Sequence, residues 1–216
     1  MDQKAEAVFE KINEWQQLGY EAWKKSRRPR AVEFWMVGWN LVAELMQSGQ
    51  FSTIQELDRA YHGRQSIANW STDFGEALYL AGLANQAALP ASIAFNRQML
   101  DWSSKNNDIN SFNRRRMIAD SVFKISGPEA GDAVFSQFLD ENTRWGWGWA
   151  SWAEQHAPAR AEQILRQALQ VSDLENRDIV QLRLREALIR QGRSIEADAI
   201  EVTADKNKKA KKWFSR

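Results

Sequence analysis

Ala161-x-x-Ile164-Leu165-x-x-Ala168 recurs 36 residues further on as Ala197-x-x-Ile200-Glu201-x-x-Ala204. Residues at these spacings share one face of an α-helix. In both copies an apolar residue stands nine positions before the first alanine, Trp152 in one and Leu188 in the other. Small residues let two helices cross closely, and the large ones fill the space between successive pairs. A looser copy lies upstream at a shift of about 31, where Phe123-x-x-x-Gly127-Pro128 precedes Phe135 and Phe138-Leu139. A period in this range is the mark of stacked helix pairs.

Outward from the repeat, apolar residues keep helical spacing, and no convincing period-2 run occurs. Val8, Ile12, Trp15, Leu18 and Ala22 predict a first helix over about 3–25, stopped before Pro29, since a residue preceding proline is pushed out of the α region. Val32, Trp35, Trp39, Val42 and Met46 predict a second, closed by Ser48-Gly49. Ser52 with Gln55, or Thr53 with Glu56, reads as a capping box opening a short third helix that ends near His62-Gly63. Ile67, Trp70, Phe74, Ala77 and Leu78 mark a fourth, over about 66–82. Pro90, Pro128 and Pro158 open later helices, while Gly127 and Gly192 close two. Asp108 is expected to cap the helix that ends at Gly127, and Ser194 the last one. The expected fold is all-α, with about ten to twelve helices joined by short turns.

The helix–turn–helix period resembles the tetratricopeptide repeat, in three degenerate copies over about 110–205. The run Trp145-Gly146-Trp147-Gly148-Trp149-Ala150-Ser151-Trp152 also resembles a stretch of bacterial tetratricopeptide-like proteins often found with SEC-C motifs. Gln65 to Gly82, with Trp70 and Asp73, and Arg114 to Phe138 are similar in order and spacing. The resemblance implies a right-handed superhelical stack of antiparallel helix pairs, an α-solenoid. On that plan 1–64 caps the stack, 65–205 forms the repeats and 206–216 is a basic tail. The Cys-rich SEC-C zinc motif itself is absent, so the resemblance brings a fold without a chemistry.

Composition narrows the function. The 216 residues include no cysteine, 11 glycines and 4 prolines, breakers well below the roughly 12% of average usage. Disulfides, a Cys-ligated zinc and a catalytic thiol are excluded, and two histidines, His62 and His156, leave little from which to build a metal centre. No apolar run approaches the roughly 18 residues of a membrane span, and Met1-Asp2-Gln3-Lys4 does not read as a signal peptide. A soluble, cytoplasmic chain is expected, with no membrane partner. No P-loop, dinucleotide fingerprint, nucleophile elbow or metal-ligand spacing occurs, so no cofactor and no metal is expected.

Formal net charge is +1, unevenly spread. Lys206, Lys208, Lys209, Lys211, Lys212 and Arg216 face no anion within the tail, which leaves the body net acidic. Further basic knots lie at Lys24, Lys25, Arg27, Arg28 and Arg30, and at Arg114-Arg115-Arg116.

Three functional readings follow. Carrying the repeat register across, the concave face would present Arg114, Met117, Ser121 and Lys124 from the first copy and Glu186 and Arg190 from the third, a surface for an acidic peptide or C-terminal carboxylate of a partner protein. Gly146 and Gly148 inside a helix, each costing about 1 kcal/mol against Ala, imply either close packing on the tryptophans or an open aromatic surface. Trp147 is the ring expected to be exposed. The alternative is nucleic-acid association through the basic tail, Trp213-Phe214 and the arginine run. Catalysis would have to come from His62 with Asp73 and Glu76, a set that reads more simply as a surface network, so a non-catalytic adaptor is expected. Circular dichroism of the chain should show a strongly helical spectrum with one cooperative melt, and appreciable strand signal would overturn the repeat assignment.

Overall fold

The computed structural model describes residues 3–104 and 108–202. The tail 206–216, with Trp213 and Phe214, and Ala204 of the last repeat lie outside the described residues. Eleven α-helices and one 3-10 turn are found among the described residues, with no strand. They are α1 Gln3–Lys24, α2 Arg28–Gln47, α3 Ile54–Ala60, α4 Ile67–Ala84, α5 Leu89–Trp102, α6 Ile109–Ser126, α7 Pro128–Glu141, α8 Gly146–Glu154, α9 Pro158–Leu169, α10 Arg177–Arg190 and α11 Ser194–Asp198. None is long and apolar enough to cross a membrane. Contacts divide the chain into two compact units between Ser121 and Val122, within α6.

Local chemistry explains the helix ends. Proline occupies the first turn of α2, α5, α7 and α9, where its missing N–H costs nothing. At α3 the Thr53 hydroxyl accepts from the Glu56 N–H at 3.2 Å, and the Glu56 carboxylate accepts from the Ser52 N–H at 2.8 Å. Of the two expected pairings it is Thr53 with Glu56 that caps the helix, Ser52 joining through its backbone, while the Gln55 side chain bonds Ser103 and Ser104. Asp108 accepts the Ser111 N–H at 2.8 Å and so caps α6.

The last helix departs from expectation. Arg193, not Ser194, is its N-cap, and no side chain caps it. It ends at Asp198, leaving Ile200 outside any helix. Ala197 is its one buried residue, while Ile195 is 89% exposed. A helix without an apolar face to bury gains little from extension.

In the first unit α1 packs on α2, α2 and α3 on α4, and α4 on α5. Their core is aromatic: Trp39 lies 4.8 Å from Phe95 and 5.7 Å from Trp70, and Phe74 4.9 Å from Phe95, between ring centroids. The buried stripe of α1 is shifted from the apolar one. Phe9, Ile12 and Ala22 are buried together with Gln16 and Gly19, whereas Val8, Trp15 and Leu18 are half-buried. Gln16 is fully buried because its groups are paired: the amide donates to the Gln65 carbonyl (3.1 Å), its side-chain oxygen accepts from the Tyr61 hydroxyl (3.4 Å), and its backbone carbonyl accepts from Trp35 Nε1 (3.0 Å).

In the second unit α8 packs on α7, α9 and α10, and α10 on α9 and α11. The Glu162 carboxylate on α9 accepts from Gln191 at 3.0 Å and from Arg193 at 2.5 Å, and also from Arg166 on its own helix. Burial acts to raise its pKa, but these hydrogen bonds outweigh burial and hold it below the ordinary carboxylate range. Trp145, Trp149 and Trp152 are buried and Trp147 is half-buried. The glycines between them explain how. A Cβ on Gly148 would lie 2.2 Å from the Trp145 ring, and one on Gly146 would lie 2.0 Å from the Glu175 carbonyl oxygen. The second obstacle is backbone, pinned where the Glu175 N–H donates to the Arg144 carbonyl at 2.8 Å. Gly146→Ala should therefore destabilise the chain by about 1–3 kcal/mol, despite the better helix propensity of alanine. A urea midpoint that stays level or rises would refute the close approach.

Candidate functional site

A cavity of about 170 Å³ opens between α8, α9 and α10. Ala153, Pro158, Ala161, Leu165 and Ala187 form its apolar floor, and Glu154, His156, Arg183, Glu186 and Arg190 supply its polar groups. The repeat explains the floor, since Ala161 and Leu165 are the small and large positions of the repeated face.

The polar groups are unequally committed. Arg183 bridges Glu154 at 2.7 Å and Glu186 at 2.8 Å. Burial acts to lower its pKa, but the two carboxylates hold it above the ordinary guanidinium range. His156 Nε2 lies 2.8 Å from Asp132 Oδ1, and the same oxygen accepts from Trp152 Nε1 at 2.6 Å. An ionised carboxylate only accepts, so this contact places a hydrogen on Nε2. The Phe123 ring stands edge-on to the imidazole at 5.2 Å, and Phe135 stacks on Trp152 at 6.1 Å. Asp132 thus ties α7 to the C-terminal end of α8 and to the turn that follows it. Arg190 is exposed and makes no ion pair or side-chain hydrogen bond among the described residues. It is the cation the cleft leaves available.

A carboxylate–imidazole pair can act as a general base. The lining of this cleft, however, contains no hydroxyl or thiol for it to activate. Its volume also falls below the roughly 300–1,000 Å³ of small-molecule sites. It has the size of one side chain.

Among the residues expected on a concave face, Glu186 and Arg190 meet in this cleft. Arg114, Met117 and Ser121 are buried, Lys124 is exposed near the end of α6, and Trp147 is half-buried on α8. Arg114 is 5% exposed because its Nη2 donates to the Ser71 hydroxyl at 3.0 Å and its Nη1 to the Asn96 side-chain oxygen at 3.3 Å. The arginine run is therefore not an open triplet of cations: Arg115 and Arg116 are half-buried beside it. His62 and Glu76 are exposed and Asp73 accepts from the Tyr20 hydroxyl at 2.5 Å. No hydrogen bond or ion pair joins His62 to either carboxylate. Among the described residues no group of three or more acidic or histidine side chains is placed to hold a metal ion.

Sequence reasoning missed Asp132, Glu154 and Arg183. Asp132 meets partners on α8 and in the turn after it, 20 and 24 residues away, a separation that carries no pattern. Compared with protein-family models and with curated proteins, the chain matches none.

Asp132→Ala leaves the Trp152 and His156 N–H groups without their acceptor. It should cost about 1–3 kcal/mol, read from the urea midpoint, with Lys124→Ala as a neutral control. Equal midpoints for the two variants would show that Asp132 does not hold the cleft together.

Proposed function

We propose that the chain is a non-catalytic interaction module of tetratricopeptide-like, right-handed solenoid type, which grips a partner protein or peptide in the cleft between α8 and α10. In such stacks the first helices of neighbouring pairs pack side by side and line the groove. The packing of α8 directly on α10 and the position of the cleft along both support this reading.

The observation that carries it is the contrast within the cleft. Arg183 is ion-paired with two carboxylates, while Arg190 stands beside an apolar floor with no ion pair among the described residues. A small aliphatic side chain fits the floor, and a neighbouring carboxylate completes Arg190 through a charge-assisted bond. The ligand is therefore an acidic segment with one apolar anchor, such as an aliphatic C-terminal residue.

The test is a peptide array or display selection on the full chain. Sequences pairing a small aliphatic residue with an acidic one should be enriched. Arg190→Glu should weaken them roughly tenfold or more, and added salt should weaken them moderately. Enriched peptides that bind Arg190→Glu as well as the parent, or no enrichment at all, would remove the cleft from consideration.

A further inference from the structure

A second, smaller cavity of about 50 Å³ lies in the first unit, between the starts of α4 and α6 and the end of α5. Its lining is unusually polar: Ser71, Thr72, Ser103, Asp108, Asn110, Ser111 and Arg114, closed by Ile54, Gln55, Ala68 and Met99. At its base sits the most deeply buried guanidinium described.

A buried charge is costly unless it is paired, and Arg114 is not paired with a charge. Both of its hydrogen-bond acceptors, the Ser71 hydroxyl and the Asn96 amide oxygen, are neutral. The Phe95 ring covers it at 5.5 Å. Asp108 lines the same cavity without being within ion-pair distance, and its Oδ1 already accepts from the Ser111 N–H and hydroxyl, each at 2.8 Å. Burial consequently pushes the Arg114 pKa down to about 10, with the distant Asp108 charge only partly opposing the shift.

A guanidinium has five N–H donors in a planar fork, and the two bonds to Ser71 and Asn96 leave three. The hydroxyls of Ser71 and Thr72 are turned back to the Ala68 carbonyl, at 2.7 and 3.3 Å. Asn110 adds an amide at the rim. A water needs about 10–15 Å³ of such space, so the cavity takes a few waters or one compact polar group, and the remainder of any larger ligand would stay at the mouth.

We propose that this cavity is a binding site for a small oxyanion, a carboxylate or phosphate group, seated on the free donors of Arg114 and flanked by Asn110 and Ser111. The anion supplies the counter-charge that the protein itself withholds. Asp108 stands near enough to repel it, which limits the affinity and favours an anion that gives Arg114 two oxygens at once.

The test is an NMR titration of the full chain with sodium phosphate and, separately, with sodium acetate, against sodium chloride at matched ionic strength. The readout is the backbone amides of Ser71, Thr72 and Ser111. At least one oxyanion should give a saturable shift in the millimolar range that chloride does not reproduce. Response to phosphate alone, to acetate alone or to both assigns the preferred group. Arg114→Gln should weaken the response roughly tenfold or more. Should that variant fail to fold, Ala68→Leu fills the cavity from its wall while keeping the arginine, and should abolish the response. No saturable shift up to tens of millimolar, equal shifts with chloride, or a response that survives in the folded variant overturns the site.

Discussion

A tryptophan can be buried between two helices only if the helix opposite gives up bulk. A Cβ on Gly19 would lie 2.0 Å from Trp35 Nε1, so α1 passes over that ring with nothing but backbone. In α8 the same exchange occurs within one helix, where Gly148 makes room for the Trp145 ring. Packing of this kind brings a second demand, because a buried indole carries an N–H that seeks an acceptor; Trp70 Nε1 is buried without one, but most of the others find theirs. Trp35 takes the Gln16 carbonyl, Trp39 the Gln98 side chain and Trp149 the Thr143 carbonyl. Trp152 takes a carboxylate, Asp132, and a carboxylate has capacity for more than one donor. That spare capacity is what fixes His156 beside the cleft.

Helical periodicity and punctuation were enough to read the all-helical class and the breaks between helices. The breaks at Pro29, Pro128, Pro158 and Gly192 lie where the structure turns, because proline and glycine act on their own backbone and need no partner. Burial was less legible. The stripe of α1 is displaced by one position since Gln16 and Gly19 are inside, and neither is apolar by type. Ser92 and Asn96 on α5 were missed for the same reason: the Asn96 amide donates to the Ser92 carbonyl at 2.9 Å and its oxygen serves Arg114. Gln16 and Asn96 are satisfied by partners beyond their own helices, and such partners are not visible along one helix. The end of α11 failed differently. Ala197 and Ile200 keep the repeat spacing, but a repeated pattern does not extend a helix that has no surface to cover.

Two arginines show how the same side chain is assigned opposite roles. Arg114 and Arg190 were both placed on one ligand-facing surface by the repeat register. Arg190 stands on the exposed side of α10, where its charge stays hydrated and its neighbour Arg183 draws off the nearby carboxylates. Arg114 is held from α4 and α5 by neutral oxygens that satisfy its geometry without balancing its charge. A protein that needed only packing at that point would be served as well by an apolar side chain of similar length, since replacing buried ionic groups with apolar ones is often neutral or stabilising. Keeping a full charge there, beside a polar cavity, makes physical sense when something negative completes it. On the readings proposed, the two cations take different ligands: at Arg190 a carboxylate that arrives with an apolar anchor, and at Arg114 an oxyanion small enough to leave the core closed around it.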